Sequence, residues 1–444
     1  MSETRRILMA FGAALLLGAL FSWPLPRYVN SGIGSSAANA EVGNVRAMIP
    51  GDHLQFLYHM WLAKDTFMGR TPLFHNLYEF NTGDDADRRE AGTYYLPFSL
   101  FFTLGAWVGG RALGWNVAIA ITLGLTYWVS WKLARRYHPD EWIAAGLAAL
   151  PLIVPYVWIN LMGGSPTGFT MMWVPILLYG IDRWVADGSP TGAALAGASI
   201  FFAEWGDTHV FFFNVMIAPV WFVLTYLYRF GIRWPRRAEW ASRLRASLVL
   251  LPFILLAAFK AWSVHHGLQS TAIASGRDEN EVMLFSHGLG YIVSAAGLAR
   301  GAKTYVGWYL VALMVAGFVW SIRQVVRDRS LRRGWIAMAL LLGVTAMFAL
   351  ATGPRNPLGP RAWRMLTRLV PPYGMIRQPD KVFCLVPVVL MVAGAMLLPG
   401  RGARGGPTRG RWPVRIGCLL LLAPLVADYA LRLDPTICLL DESQ

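Results

Sequence analysis

The sequence predicts an all-α, polytopic membrane protein of about eleven spanning helices, with interfacial helices in its first long loop. Three observations point there. Apolar stretches of spanning length recur along the 444 residues. Hydrophobic residues make up 55% of the chain and charged residues only 15%, with a mean hydropathy of +0.43. That leaves too little polar surface for a water-soluble globule of this length. Basic residues gather in short connections between the apolar stretches, the pattern that fixes a chain's direction through a bilayer.

The first apolar stretch, 8–23, follows Arg5 and Arg6. Residues 24–30 lack a small-x-small cleavage pattern, so the stretch is expected to stay as an anchor. The other expected spans are 113–131, 142–161, 168–185, 191–205, 208–228, 246–263, 304–322, 334–351, 381–399 and 413–431. Stretch 94–110 is also apolar, but Pro97 near its start and Gly105, Gly109 and Gly110 near its end weaken it as a plain span. It is expected to be interfacial or re-entrant. With that assignment the basic clusters at 132–136, 229–245, 323–333 and 401–415 all share a side with Arg5 and Arg6, and the positive-inside rule makes that side cytoplasmic. Loops 24–92, 162–167, 206–207, 264–303 and 352–380 then fall outside. The chain divides into one transmembrane domain, 1–431, which includes loop 24–92, and a short outer tail, 432–444.

The net charge of +15 is explained by these topogenic clusters and their contact with anionic membrane lipids, so no nucleic-acid partner is expected. Cys384, Cys418 and Cys438 form no disulfide framework and no metal motif.

The outer loops carry the unusual polar residues. In loop 24–92 the segment GDHLQFLYHMWLAKDTF begins at Gly51. Leu54, Leu57, Tyr58, Trp61 and Leu62 recur at helical spacing, and Asp52, Gln55 and His59 lie opposite, which predicts an amphipathic helix on the membrane surface. Asp52 stands at its start. A carboxylate there caps free backbone N–H groups, and the same position suits a general base at the lipid–water boundary. His53 and His59 are the next candidates. Tyr94 and Tyr95, before Pro97, either line a sugar or lipid groove or anchor the loop among head groups. Further along, Glu204, Asp207 and His209 interrupt an apolar region around Gly206. Carboxylates at membrane depth demand a partner or water, so these three form either a polar turn or a second wall of a binding site. They also suggest a divalent cation, though only weakly; no metal ligand is assigned and no cofactor is required.

Loop 352–380 departs from the charge rule. Arg361, Arg364 and Arg368 recur at helical spacing, and Arg377 and Lys381 bracket a proline-rich turn. So many cations on an outer loop suit a bound phosphate or pyrophosphate, or generic anionic head groups. Arg377 and Lys381 are the preferred contacts because Pro371, Pro372 and Pro379 restrict the chain that carries them.

Together the retained first span, the GDHLQFLYHMWLAKDTF segment and the motif PYGMIRQPDKV ahead of a late span resemble the multi-spanning, lipid-dependent glycosyltransferases of the type C fold, in particular bacterial members. The resemblance covers most of 1–431. It implies a bacterial inner membrane, an inside N-terminus and a working face that is periplasmic or extracellular. It also implies inverting transfer of a sugar from a polyprenyl-phosphate donor to an envelope glycan, lipid or protein acceptor, with Asp52 as base. Two departures stand out. His53, not a second acid, follows Asp52. The family's outer soluble domain has no counterpart in RLDPTICLLDESQ, which leaves acceptor recognition to the loops or to a partner protein. The residues also admit a transporter or flippase of lipid-linked glycans, and a non-catalytic membrane protein of envelope assembly.

Overall fold

A computed structural model of the chain describes residues 2–35, 45–47, 49, 51–73, 75–78, 94–233, 236–268, 276–299, 303–327, 331–398 and 411–440. The acidic stretch from Glu79 to Glu90, Glu41, and the arginines Arg401, Arg404 and Arg409 lie outside these residues. Among the described residues the protein is a helical bundle with one small sheet. Seven helices are long and apolar enough to cross a membrane, and a bent pair, Glu141–Ile153 with Pro155–Met162, makes an eighth candidate. The eleven stretches expected from hydropathy include others that form shorter helices, such as Trp173–Asp187 and Pro190–Gly206.

Exposure separates the bundle's centre from its rim. In Pro379–Leu397, 89% of the apolar window is buried, against 6% in Glu239–His266. Leu244, Leu248, Leu251, Leu255 and Phe259 all point outward from the latter helix. Lipid tails are the solvent such a surface needs. Central helices approach through small residues instead of large apolar ones. A Cβ on Gly180 would lie 2.7 Å from the backbone nitrogen of Ala196, so Trp173–Asp187 and Pro190–Gly206 pack nearly backbone to backbone.

Stretch 94–110 does not continue as one straight helix. Helix Phe98–Tyr137 is broken at Gly109 (φ −150°, ψ 33°) and Gly110 (φ 83°, ψ −176°), the second in a region that only glycine enters freely. Residues 98–108 therefore turn back on 111–117. The two legs touch where Gly105 faces the Leu113 carbonyl and Gly114 faces Ala106 and Phe102. Leu104, Trp107 and Val108 are exposed on the short leg.

The two ends of the bundle differ in kind. At one end, ion pairs join the basic connections to neighbouring acids: Lys132 to Glu3 (2.7 Å), Arg415 to Asp140 (3.0 Å) and Arg136 to Asp187 (2.9 Å). Buried Asp182 accepts from Arg136, Arg229 and the Tyr137 hydroxyl. At the other end lie the Asp52 helix and the sheet. Strands β1 (Gly32–Ser35), β2 (Val45–Ala47) and β3 (Thr436–Leu439) run in the order β1–β3–β2, antiparallel on one side of β3 and parallel on the other. The carboxyl tail is thus the centre strand of a sheet whose edges come from the first loop. Ile33, Ile437 and Cys438 are buried there, and Gly34 lies against Met162 with no room for a side chain.

Valine at Gly114 would force its methyls into Ala106 and Phe102. Overpacking of this kind costs about 1–3 kcal/mol, so Gly114→Val should lower the unfolding midpoint in detergent. Gly343→Ala, whose Cβ would meet nothing within 4 Å, should match or exceed the wild type. An unchanged midpoint for Gly114→Val would mean that the hairpin does not close at this contact.

Candidate functional site

The Asp52 helix, Asp52–Phe67, begins one residue earlier than a capping carboxylate would require. Gly51 holds the cap position, so Asp52 is the first helical residue and its carboxylate is exposed. The buried face also differs from the expected one. His53, Phe56, Leu57, Met60 and Ala63 point inward, while Leu54, Tyr58 and Trp61 are only partly covered. The helix packs into the bundle through a face that keeps Leu57 and Leu62 of the expected stripe and adds His53, Phe56 and Met60. Phe56 makes the reason plain: its ring lies edge-on to Tyr95 (4.5 Å), Trp115 (5.3 Å) and Phe169 (5.3 Å). Hydropathy spacing favoured the leucines, but the aromatic ring and its three partners set the rotation. Close approach then fixes the first turn. Gly164, at φ 68°, leaves only 2.2 Å between an added Cβ and the Cα of His53.

Asp52 lines a cavity of about 2140 Å³ at this end of the bundle. Tyr95, Glu204, Asp207, His209, Arg364, Arg377 and Lys381 share its walls, as do Phe21, Trp158, Phe211 and Phe212. Eight of the thirteen candidate residues thus meet in one space. Five stand apart from its walls. His53 is fully buried behind Asp52, and desolvation pushes its imidazole below the ordinary value despite a backbone bond at Ile49 and the nearby Asp52. His59 lies between Tyr58 (5.5 Å) and Tyr95 (5.9 Å). Tyr94 is buried. Arg361 and Arg368 share a flank with Arg364, as their spacing predicts, but both are exposed away from the cavity wall.

The floor is a charged junction. Asp207 begins helix Thr208–Phe230 and accepts through Oδ1 from the backbone N–H groups of His209 (2.7 Å) and Val210 (3.2 Å). The Thr167 hydroxyl donates to its other oxygen. Lys381 lies 4.0 Å from that same oxygen and donates to Ser165 Oγ (3.2 Å) and to Thr167. Burial alone would raise the Asp207 pKa. Lys381, His209 and Thr167 outweigh it and hold the carboxyl well below the usual range. Lys381 is therefore paired with Asp207 while it also lines the cavity. Glu204 is likewise held by Lys260 (2.9 Å). Among the described residues no three His, Cys, Asp or Glu side chains could hold a metal ion, and the Glu204–Asp207–His209 turn does not gather into a ligand set.

Among the charged cavity residues that sequence reasoning did not select, which include Arg277, Glu279 and Arg432, Lys303 stands out. It stands alone just before a span, where a lysine reads as a topological marker, and only the fold brings it to the cavity wall. Partial desolvation pushes its ammonium pKa down. Lys381 pushes the same way, while Asp380, Asp52 and Asp207 pull it up. Arg377 completes the cationic wall with its guanidinium over the Phe285 ring (4.7 Å). The 276–284 segment is joined to the proline-rich turn by the Arg277 N–H bond to the Gly374 carbonyl (3.0 Å) and by Arg364 to Glu279 (3.6 Å). Comparisons with protein-family models, curated proteins and solved structures give no match for this chain.

Removing one partner of a pair this deeply buried costs about 3–5 kcal/mol. Asp207→Asn should therefore lower the unfolding midpoint sharply, and adding Lys381→Met should restore part of the loss. A double variant as unstable as the sum of the two singles would show that the ion pair does not couple these helices.

Proposed function

We propose that this cavity is the active site of a membrane glycosyltransferase. The enzyme moves a sugar from a polyprenyl-phosphate donor to an envelope glycan, lipid or protein acceptor on the outer face of a bacterial inner membrane. The single observation that carries this reading is chemical. One cavity joins an exposed carboxylate, Asp52, with the cations Lys303 and Arg377 and with the apolar walls at Phe21 and Trp158. A lipid-linked sugar phosphate has one feature for each of these: a tail for the apolar wall, a phosphate for the cations and a reacting carbon near the base. The resemblance of GDHLQFLYHMWLAKDTF and PYGMIRQPDKV to type C enzymes supports the same reading.

In the proposed reaction the acceptor hydroxyl oxygen attacks the anomeric carbon from the face opposite the phosphate. The carbon–oxygen bond to phosphate breaks as the new glycosidic bond forms, which inverts the centre. Asp52 takes the hydroxyl proton, and the bonding pair leaves with the polyprenyl phosphate. That leaving group gains negative charge, so the preorganised cations Lys303 and Arg377 stabilise it without proton donation. The buried first turn holds the carboxylate in place, since His53 and Phe56 fix its rotation.

Purified protein should transfer sugar from a polyprenyl-phosphate donor, and Asp52→Asn should lose about 10²–10⁴-fold, the range for loss of a general base. Equal rates in both proteins would remove Asp52 from the chemistry, and donor moved across the bilayer but left intact would point to transport.

Donor affinity should also fall as the pH rises through the depressed pKa of Lys303, below the range of an ordinary lysine. The sign differs for stability. Between that depressed value and the ordinary lysine value the unfolded chain binds more protons, so the folded state gains as pH rises. Lys303→Arg should keep affinity flat across this interval. A pH profile unaltered by that substitution would remove Lys303 from phosphate binding.

A further inference from the structure

The helix Pro360–Leu369 has two different sides. On one side Trp363 is buried against Tyr373 (5.2 Å) and forms part of the cavity wall with Thr367, while exposed Arg364, at the boundary with the arginine flank, also reaches that wall. On the other side Arg361, Met365, Arg368 and Leu369 are exposed and neighbours by helical spacing. Met365 is 61% exposed and Leu369 72%, and Leu358, in the turn leading into the helix, is 81% exposed. Water does not favour three such side chains together, so the surface calls for a partner.

Position and charge select the partner. The helix lies between two candidate spans, Arg332–Ala351 and Pro379–Leu397, with eight residues before it and nine after it. It is therefore tethered at the level where both spans leave the bilayer. From Gly353 to Gln378 the chain has five arginines and no acidic residue. Apolar side chains flanked by guanidinium groups, held at the depth of the head groups, match a bilayer surface with negative charge.

We propose that the Leu358–Met365–Leu369 surface inserts among the head groups of anionic phospholipids in the membrane that the chain spans, with Arg361 and Arg368 binding their phosphates. The cavity wall formed by Trp363, Arg364 and Thr367 is thereby anchored to the lipid layer. This docking does not depend on which reaction the cavity runs.

The test uses the full chain carrying Met365→Cys and a nitroxide label, in nanodiscs of phosphatidylcholine alone and of phosphatidylcholine mixed with phosphatidylglycerol. In the mixed discs the label should be relaxed by oxygen and shielded from an aqueous nickel chelate. Arg361→Ala with Arg368→Ala should reopen it to the chelate. The same pair of substitutions should reduce phosphatidylglycerol retained in native mass spectrometry by about fivefold per arginine, the equivalent of about 1 kcal/mol each. Both arginines are exposed, so the unfolding midpoint should not move. A label equally open to the chelate in both discs, and indifferent to the arginines, would overturn the proposal. A label open in both discs but shielded in native membranes would overturn it in favour of a protein partner.

Discussion

The Asp207–Thr167–Lys381 junction is the constraint from which the rest of the site follows. Asp207 ends one helix and starts the next, Thr167 belongs to a short turn near the cavity, and Lys381 opens the most buried span. A charge this deep in the protein is tolerated only with an opposite charge and saturated hydrogen bonds. Each of the three residues supplies what another lacks: Asp207 takes the helix's free N–H groups on one oxygen and the Thr167 hydroxyl on the other, beside the ammonium. Three separate chain segments are thereby fixed under the cavity. Lys381 is paired in the process, and Lys303 and Arg377 are further cations on the cavity wall.

The sequence made a good part of this legible. Gly109 and Gly110 after an apolar stretch announced a break, and the helix is broken at those two residues. Asp207 was visible because a carboxylate between two apolar helices demands a partner or water, whether as a polar turn or as a site wall. What remained hidden was pairing at a distance. Nothing local marks Lys303 as different from any lysine ahead of a span, because its neighbours Asp380, Asp52 and Asp207 are remote in sequence. Nor does a spacing rule reveal that Lys381 pairs with Asp207 while Arg377 does not. The sheet was missed for the same reason: TICL carries no pattern that names Gly32–Ser35 and Val45–Ala47 as its neighbours. Leucine spacing placed Leu57 and Leu62 inward and Asp52 and Gln55 outward correctly, but it could not show the three-ring nest that buries Phe56.

Charge also divides the bundle along its length. At the end away from the site, cations on the connections find acids on adjacent helices, and Asp182 alone collects three donors. Those charges are spent on holding helices together. At the Asp52 end the balance is different. Some pairs are closed, as in Glu204 with Lys260, and others leave a charge facing open space, as with Asp52 itself. Exposed carboxylates are ordinary on a surface. One held by a buried histidine and a close glycine contact, on the wall of a large cavity, is positioned more rigidly than its exposure needs.

That rigidity bears on what the cavity can accept. A binding surface made only of charge would release its ligand into water, and one made only of rings would not orient a polar head. Here the two kinds of wall have separate supports. Phe21 and Trp158 stack at 5.6 Å on helices Glu3–Phe21 and Pro155–Met162, while the cations come from the 303 segment and the proline-rich turn. A ligand that fills both must itself be divided, with an apolar length beside an anionic group, and its anionic end must lie on the side that carries Asp52. The third support is the helix Pro360–Leu369, which forms wall on one side and faces outward on the other. Whatever holds its outer side sets the position of Arg364 and Thr367, so the cavity's shape is coupled to what lies outside the bundle as well as to the junction beneath it.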